Sequence, residues 1–224
     1  MRSGSLNRPT RRVPKLATIT ALAGVNGSGK SSVQGRMKRA EGVDYYNPDE
    51  EAQRLRARFP GMSDGELNGY VWQAGLKRLR CCIDAGDDFV FETTLGGNTI
   101  CNELIRAAIL GHQVVVWYVG LATVQDNIRR VRERHARGGH DIPTEKIEER
   151  FESSPRNLIR LLPYLDSLAV FDNTAELSKT GRPNPIEILR ITNRRISFTV
   201  AVRDCPAWAH AIIEAAHETL PGQT

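Results

Sequence analysis

Residues 24–32 read GVNGSGKSS, and no other stretch restricts the fold as much. Gly24, Gly29, Lys30 and Ser31 fit the pattern G-x-x-x-x-G-K-[ST]. The apolar, β-branched run 16–23 precedes the loop, and helix signals follow from about 30 to 40. Strand, glycine loop and helix in that order form a phosphate cradle. Gly27 and Gly29 allow backbone angles that turn successive N–H groups inward, and the helix N-terminus adds partial positive charge. The loop residues Gly24, Asn26, Gly27, Ser28, Gly29, Lys30, Ser31 and Ser32 are therefore read as the nucleotide site. Lys30 is placed on the β- and γ-phosphates, and the Ser31 hydroxyl on Mg²⁺.

The rest of the chain alternates strand and helix. Short strands are expected at 43–47, 88–93, 113–119 and 168–172, with helices at 49–58, 63–85, 98–110, 123–137 and 143–161. Ser63 and Glu66 form a capping-box pattern, and Gly86 ends that helix. Val71, Trp72, Gly75, Leu76, Leu79 and Ile83 fall on its apolar face, which reads Trp72 as core. Two further strands within 186–201 and a helix at 207–219 complete the pattern. This predicts a three-layer α/β P-loop NTPase/kinase fold with a mostly parallel central sheet. Residues 16–224 form one kinase domain in this reading. It has an Arg-rich helical lid at about 125–160 and a C-terminal strand/helix elaboration at about 186–220. Ligands bind beyond the carboxyl ends of such strands. The segments 24–32, 48–50, 92–97, 120–123 and 173–175 should therefore meet at one edge.

Charge is unevenly spread. The chain carries a net +5, yet nine of its 31 basic residues precede Glu41, the first acid. Residues 1–15 are read as a disordered basic tail, and nucleic acid is not expected as a partner. No run approaches the roughly 18 apolar residues that cross a bilayer, and no signal peptide is evident, which predicts a cytoplasmic protein without a membrane partner. Cys81, Cys82, Cys101 and Cys205 show no metal spacing, and the Cys81–Cys82 pair is read as packing.

The segments after the later strands decide the chemistry. No guanine-reading NKxD segment is present. The third strand ends Glu92-Thr93-Thr94, a carboxylate and two hydroxyls suited to a polar substrate, although β-propensity also accounts for the threonines. Asp49 follows the second strand and can accept the proton of an attacking hydroxyl; acids also suit a first helical turn for their own sake. Arg130, Arg134 and Arg137 share one helix face, where like charges repel unless a polyanion lies opposite. Gly138-Gly139 gives a hinge for closure, and His140 is read as a structural hydrogen-bonder there.

Taken in order, GVNGSGKS, NPDEEA, FETTL and RVRERHARGGHDIP, with Arg150-Phe151 and Asn157-Leu158 after them, resemble the zeta-toxin family of P-loop kinases in its compact, free-standing branch. The likeness extends over about 17–175. It implies an ATP- and Mg²⁺-dependent phosphotransferase acting on the 3′-hydroxyl of UDP-N-acetylglucosamine, and a small antitoxin protein as partner. It implies Asp49 as the base, with Glu92 and Thr94 on the sugar nucleotide. Arg134 and Arg150 would close over the phosphates, with Lys30 beside them. Asn173 falls where such kinases pass the adenine. Thr93 and Arg130 are added as substrate contacts from the strand-end and helix-face arguments above. Two alternatives stay open: a kinase for a nucleotide, an antibiotic or an RNA end, and a non-catalytic, nucleotide-gated binding module.

Overall fold

The computed structural model describes residues 15–30, 45–137, 142–175 and 184–220. The expected basic tail, the helix after Lys30, Ser31, Ser32, Gly138, Gly139 and His140 lie outside the described residues, apart from Lys15.

Among the described residues seven strands form one sheet: β1 (Thr18–Ala23), β2 (Tyr45–Tyr46), β3 (Phe89–Thr93), β4 (Gln113–Gly120), β5 (Ser167–Asp172), β6 (Ile186–Thr192) and β7 (Arg195–Thr199). Their spatial order is β2-β3-β1-β4-β5-β6-β7. The first five are parallel, and β6 and β7 add an antiparallel hairpin on one side. The α-helices among the described residues are α1 (Pro48–Arg58), α2 (Asp64–Ala85), α3 (Asn98–Ile109), α4 (Val124–Ala136), α5 (Thr144–Leu161) and α6 (His210–Thr219). The architecture is the three-layer α/β fold of P-loop kinases.

Strand periodicity explains the layers, because successive side chains point to opposite faces. Ile19, Ala21, Val114, Val116, Tyr118, Leu168 and Val170 join the main core with Leu79, Leu104, Leu158 and Ile212 from the helices. The alternate residues Leu22, Val119, Ala169 and Phe171 form a second cluster with Trp117. A sheet covered on both faces accounts for runs such as QVVVWYV, which are continuous rather than alternating.

Local signals set the helix ends. Ser63 and Glu66 make the reciprocal capping box, and Gly86 closes α2 at φ 70°. A Cβ at Gly86 would lie 2.0 Å from the Lys15 carbonyl oxygen, so any other residue is excluded sterically as well. Asn47 caps α1 by accepting from the Asp49 and Glu50 amides, with Pro48 in the first turn.

Two expectations need correction. Trp72 is not core: it is 49% exposed, while Val71, Leu76, Leu79 and Ile83 on the same helix are buried. Trp72 sits at the edge of the apolar stripe, where helical spacing alone cannot separate core from rim. Cys81 is exposed rather than packed, and Cys82 is half-buried against the main core. No helix among the described residues is long and apolar enough to cross a membrane.

Candidate active site

The strand order reverses direction around β1, and the glycine loop leaves its carboxyl end there. A cleft of about 1610 Å³ opens above this edge. Asn26, Gly27, Gly29 and Lys30 of the loop line it, as do Asp49, Glu92, Thr93, Thr94, Arg130, Arg134, Arg150 and Asn173. The residues singled out in the sequence at 48–50, 92–97 and 173–175 thus meet. The turn after β4 does not line the cleft. Instead the Ala122 amide donates to Thr174 Oγ1 at 2.8 Å, bracing the segment after β5.

The loop has the geometry of an anion cradle. Gly24, Gly27 and Gly29 sit at φ 138°, 81° and 86°. A Cβ on Gly24 would lie 2.2 Å from the Val119 carbonyl oxygen, and one on Gly27 would lie 2.5 Å from that of Asn127. Only glycine fits either place. Ser28 is fully buried and its hydroxyl lies against the position a Gly24 side chain would take. Lys30 donates through Nζ to the Gly24 carbonyl at 2.9 Å. Burial pushes its ammonium below the usual 10.5, and the Glu92 and Asp49 carboxylates pull in the opposite direction.

Helices α4 and α5 reach the loop from the other side. Asn127 of α4 donates to the Asn26 carbonyl at 2.7 Å, and Arg150 of α5 donates to Asn26 Oδ1 at 2.7 Å. Burial lowers the Arg150 pKa from its ordinary value, as it does for Arg130. Asn173 is buried, its side-chain amide donates to the Ser28 carbonyl at 2.9 Å, and its own carbonyl accepts from Arg130 at 2.9 Å. Its side chain therefore holds the phosphate loop from below. Trp208 donates to Asp172 at 3.2 Å and packs on Gly120, so the C-terminal elaboration supports the same strand ends.

Across the cleft stand two carboxylates. Asp49 pairs with Arg134 at 2.8 Å, with both side chains half-exposed. Glu92 accepts from the Tyr45 hydroxyl and, at 3.4 Å, from the Asn47 amide. Thr93 Oγ1 accepts from the Leu95 amide at 3.0 Å, which stabilises the turn after β3.

Ser154 and Tyr45 were missed from the sequence, and Asn157 was quoted there only as part of a motif, with no role given to it. Ser154 and Asn157 are buried polar residues of α5. Ser154 donates to the Thr94 carbonyl at 2.7 Å and meets the Tyr118 hydroxyl at 2.9 Å; Asn157 donates to the Leu95 carbonyl at 2.8 Å. Together they hold a turn in which Leu95 sits at φ 53°, a left-handed angle that is costly for leucine. Tyr45 orients Glu92. Polar residues on the otherwise apolar buried face of an amphipathic helix were the available signal for Ser154 and Asn157. For Tyr45 the sequence carries none.

Each acid and arginine can now be given chemical capacity. The loop and Lys30 can hold phosphates, and Arg134 and Arg150 can neutralise charge. Asp49 can take a proton from a hydroxyl that Glu92 helps to position. Phosphate groups fit this cradle, because Gly24, Gly27 and Gly29 hold left-handed φ angles that a residue with a Cβ adopts only at a cost. Ser31, the residue the sequence offers to Mg²⁺, lies outside the described residues.

No family model matches the chain. An uncharacterized protein of Haemophilus influenzae is 28% identical over 128 residues, which is 57% of this chain and 88% of that protein. Among solved structures, the native complex of AvrRxo1-ORF1 with AvrRxo1-ORF2 matches with a TM-score of 0.62 at 16% identity, covering 90% of this chain. The complex of the same proteins with ATP matches with a TM-score of 0.60 at 16% identity, covering 92%. The chain spans 65% of the length of those structures. At this identity the likeness establishes the fold.

Proposed function

We propose that this chain, with its P-loop kinase fold, is a zeta-toxin-like phosphotransferase that moves the γ-phosphoryl group of ATP to a sugar hydroxyl. The acceptor we propose is the 3′-hydroxyl of UDP-N-acetylglucosamine. The observation that carries the reading is the placement of Asp49 on the same cleft as Lys30, facing it from a different strand end and held by Arg134. A switch or motor has no need of a carboxylate aimed at a second substrate.

In the proposed reaction the acceptor oxygen forms a bond to the γ-phosphorus as the bond from that phosphorus to the β–γ bridging oxygen breaks. The bridging electron pair leaves with ADP, and the hydroxyl proton passes to Asp49. Lys30 and the loop amides hold the phosphates in line. Arg150 and Arg134 offset charge on the transferring group, and most of the rate gain comes from this positioning and neutralisation. Mg²⁺, held in part by Ser31, would neutralise phosphate charge when bound. Glu92, Thr93, Thr94 and Arg130 would contact the acceptor, and α4 with α5 would act as the closing lid, in a single domain over 16–224. Asn173 would border the adenine through its backbone. The AvrRxo1-ORF1 structures are complexes with a second protein, which supports a small antitoxin-like partner for this chain. The proposed substrates place the protein in the cytoplasm.

Phosphorus NMR of the protein with Mg-ATP, with and without UDP-N-acetylglucosamine, tests the reading. A new phosphomonoester signal that requires the sugar nucleotide and is lost in Asp49→Ala is expected. ATP unchanged with the sugar nucleotide present would reject this acceptor.

A further inference from the structure

The cleft is electrically divided. Every lysine and arginine that lines it among the described residues comes from the glycine loop, from α4 and its end, or from α5. Among the described residues the other half is built from the end of β2, α1, α2, the end of β3 and the start of α3, and it contributes Asp49 and Glu92 but no cation of its own, Arg134 reaching Asp49 from across the cleft. The whole cleft also exceeds the roughly 300–1,000 Å³ of a single-ligand pocket, so there is room for a second substrate in the cation-free half.

That half has a rigid apolar floor with one exposed aromatic side chain. Tyr46 donates to the Val71 carbonyl at 2.6 Å and packs so closely on Gly75 that a Cβ there would lie 2.6 Å from the ring. Burial raises the Tyr46 hydroxyl to about 12, so it stays neutral at physiological pH. Asn68, Trp72 and Leu76 recur at four-residue spacing on α2 and line the cleft, with Gln53 of α1 also on its wall. Several large aromatic side chains are exposed: Phe59, Tyr70, Trp72 and Phe198. Of these, Trp72 is the one that lines the cleft. A half-exposed indole on a concave wall leaves costly apolar surface in water unless a flat ligand covers it.

We propose that Trp72 is the specificity-determining residue of a subsite for an uncharged ring of the acceptor, stacked on the indole, with the Asn68 and Gln53 amides at its polar edge. The inference rests on the phosphotransferase reading and narrows it. The side chains beside the indole on this wall, Asn68 and Gln53, are uncharged, so the ring itself would be recognised by stacking and hydrogen bonds rather than by an ion pair. A sugar with an apolar face and a nucleobase share the required chemistry.

The test uses the full-length chain and two readouts. The first is tryptophan emission on titration with N-acetylglucosamine, with uridine, and with a 5′-hydroxyl oligoribonucleotide, comparing wild type with Trp72→Phe. One of the two neutral rings should perturb the emission assigned to Trp72, and which one does so identifies the ring. The second is phosphoryl transfer to UDP-N-acetylglucosamine. Trp72→Ala should raise the acceptor KM between about 5-fold and about 150-fold, the scale of one lost stacking contact, with the Mg-ATP Kd unchanged and Trp72→Phe restoring most of the loss. Emission that responds to the oligoribonucleotide alone, or to none of the three, overturns the proposal. So does an unchanged acceptor KM in Trp72→Ala, which would leave the phosphotransferase reading intact. The emission readout needs no transfer, so a ring response without any phosphorylated product supports the subsite while rejecting UDP-N-acetylglucosamine as acceptor.

Discussion

Replacing Asn157 by alanine should loosen the acceptor side of the cleft without touching a group that contacts substrate. The side-chain amide donates to the buried Leu95 carbonyl at 2.8 Å. Removing it leaves that carbonyl unpaired in the core, at a cost of ~1–3 kcal/mol. Leu95 is held at φ 53°, which carries ~1–2 kcal/mol of strain for a residue with a Cβ. Strain and lost bond are of similar size, so the turn would rest on the Ser154 bond to the Thr94 carbonyl, the Leu95 amide bond to Thr93 and the buried Leu95 side chain. Thr94 and Glu92 stand at the start of that turn. For a chain of this size each kcal/mol lowers Tm by about 2–4 °C, which gives a drop of ~2–12 °C in a thermal scan. In steady-state transfer to UDP-N-acetylglucosamine the acceptor KM should rise about tenfold, the equivalent of 1.4 kcal/mol, while Mg-ATP affinity holds. An equal fall in both affinities would show general loosening of the fold and refute the argument. So would a lowered Tm with the acceptor KM unchanged.

Asp49→Asn should lower the transfer rate by ~10²–10⁴, the scale of a general base. It should change stability by under ~1 kcal/mol, because its pair with Arg134 is half-exposed; chemical denaturation beside single-turnover kinetics separates the two. Lys30→Met should abolish nucleotide binding yet raise Tm. Burial holds the folded pKa of Lys30 below the unfolded 10.5, so at neutral pH the folded state bears a buried charge, and that penalty fades as pH rises through the folded pKa. The Tm advantage of Lys30→Met should therefore be largest near neutral pH and shrink on going alkaline, which paired thermal scans would check. Gly96→Ala places a Cβ 2.6 Å from Arg150 Cγ; the arginine must shift from Asn26, and Mg-ATP affinity should weaken several-fold by calorimetry.

How much of this was readable depends on the range of the signal. The glycine loop, the Ser63 capping box and the Gly86 stop are local, and each stands where its spacing places it. The parallel strands were legible because burial on both faces leaves continuous apolar runs. The meeting of Asp49 and Glu92 on one cleft followed from the rule for strand ends, and Arg134 was singled out by the Arg-rich helix face. The hydrogen bonds of Ser154 and Asn157 were not legible, since their partners lie about 60 residues away and are backbone carbonyls that any sequence supplies. Trp72 was misread for a related reason. Helical periodicity gives a face, and α1, β2 and α3 decide where the core ends and the cleft begins. Asn173 was placed at the right edge, but its side-chain bond to the Ser28 carbonyl depends on the folded loop.

The account turns on transfer of a phosphoryl group with Asp49 taking the acceptor proton. The most direct measurement incubates the protein with ATP carrying heavy oxygen on its γ-phosphoryl group and UDP-N-acetylglucosamine, and follows the label by mass spectrometry for wild type, Asp49→Asn and Lys30→Met. The account predicts labelled phospho-UDP-N-acetylglucosamine from wild type, a small fraction of it from Asp49→Asn and none from Lys30→Met. Label found only in free phosphate, or transferred equally well by Asp49→Asn, would contradict it.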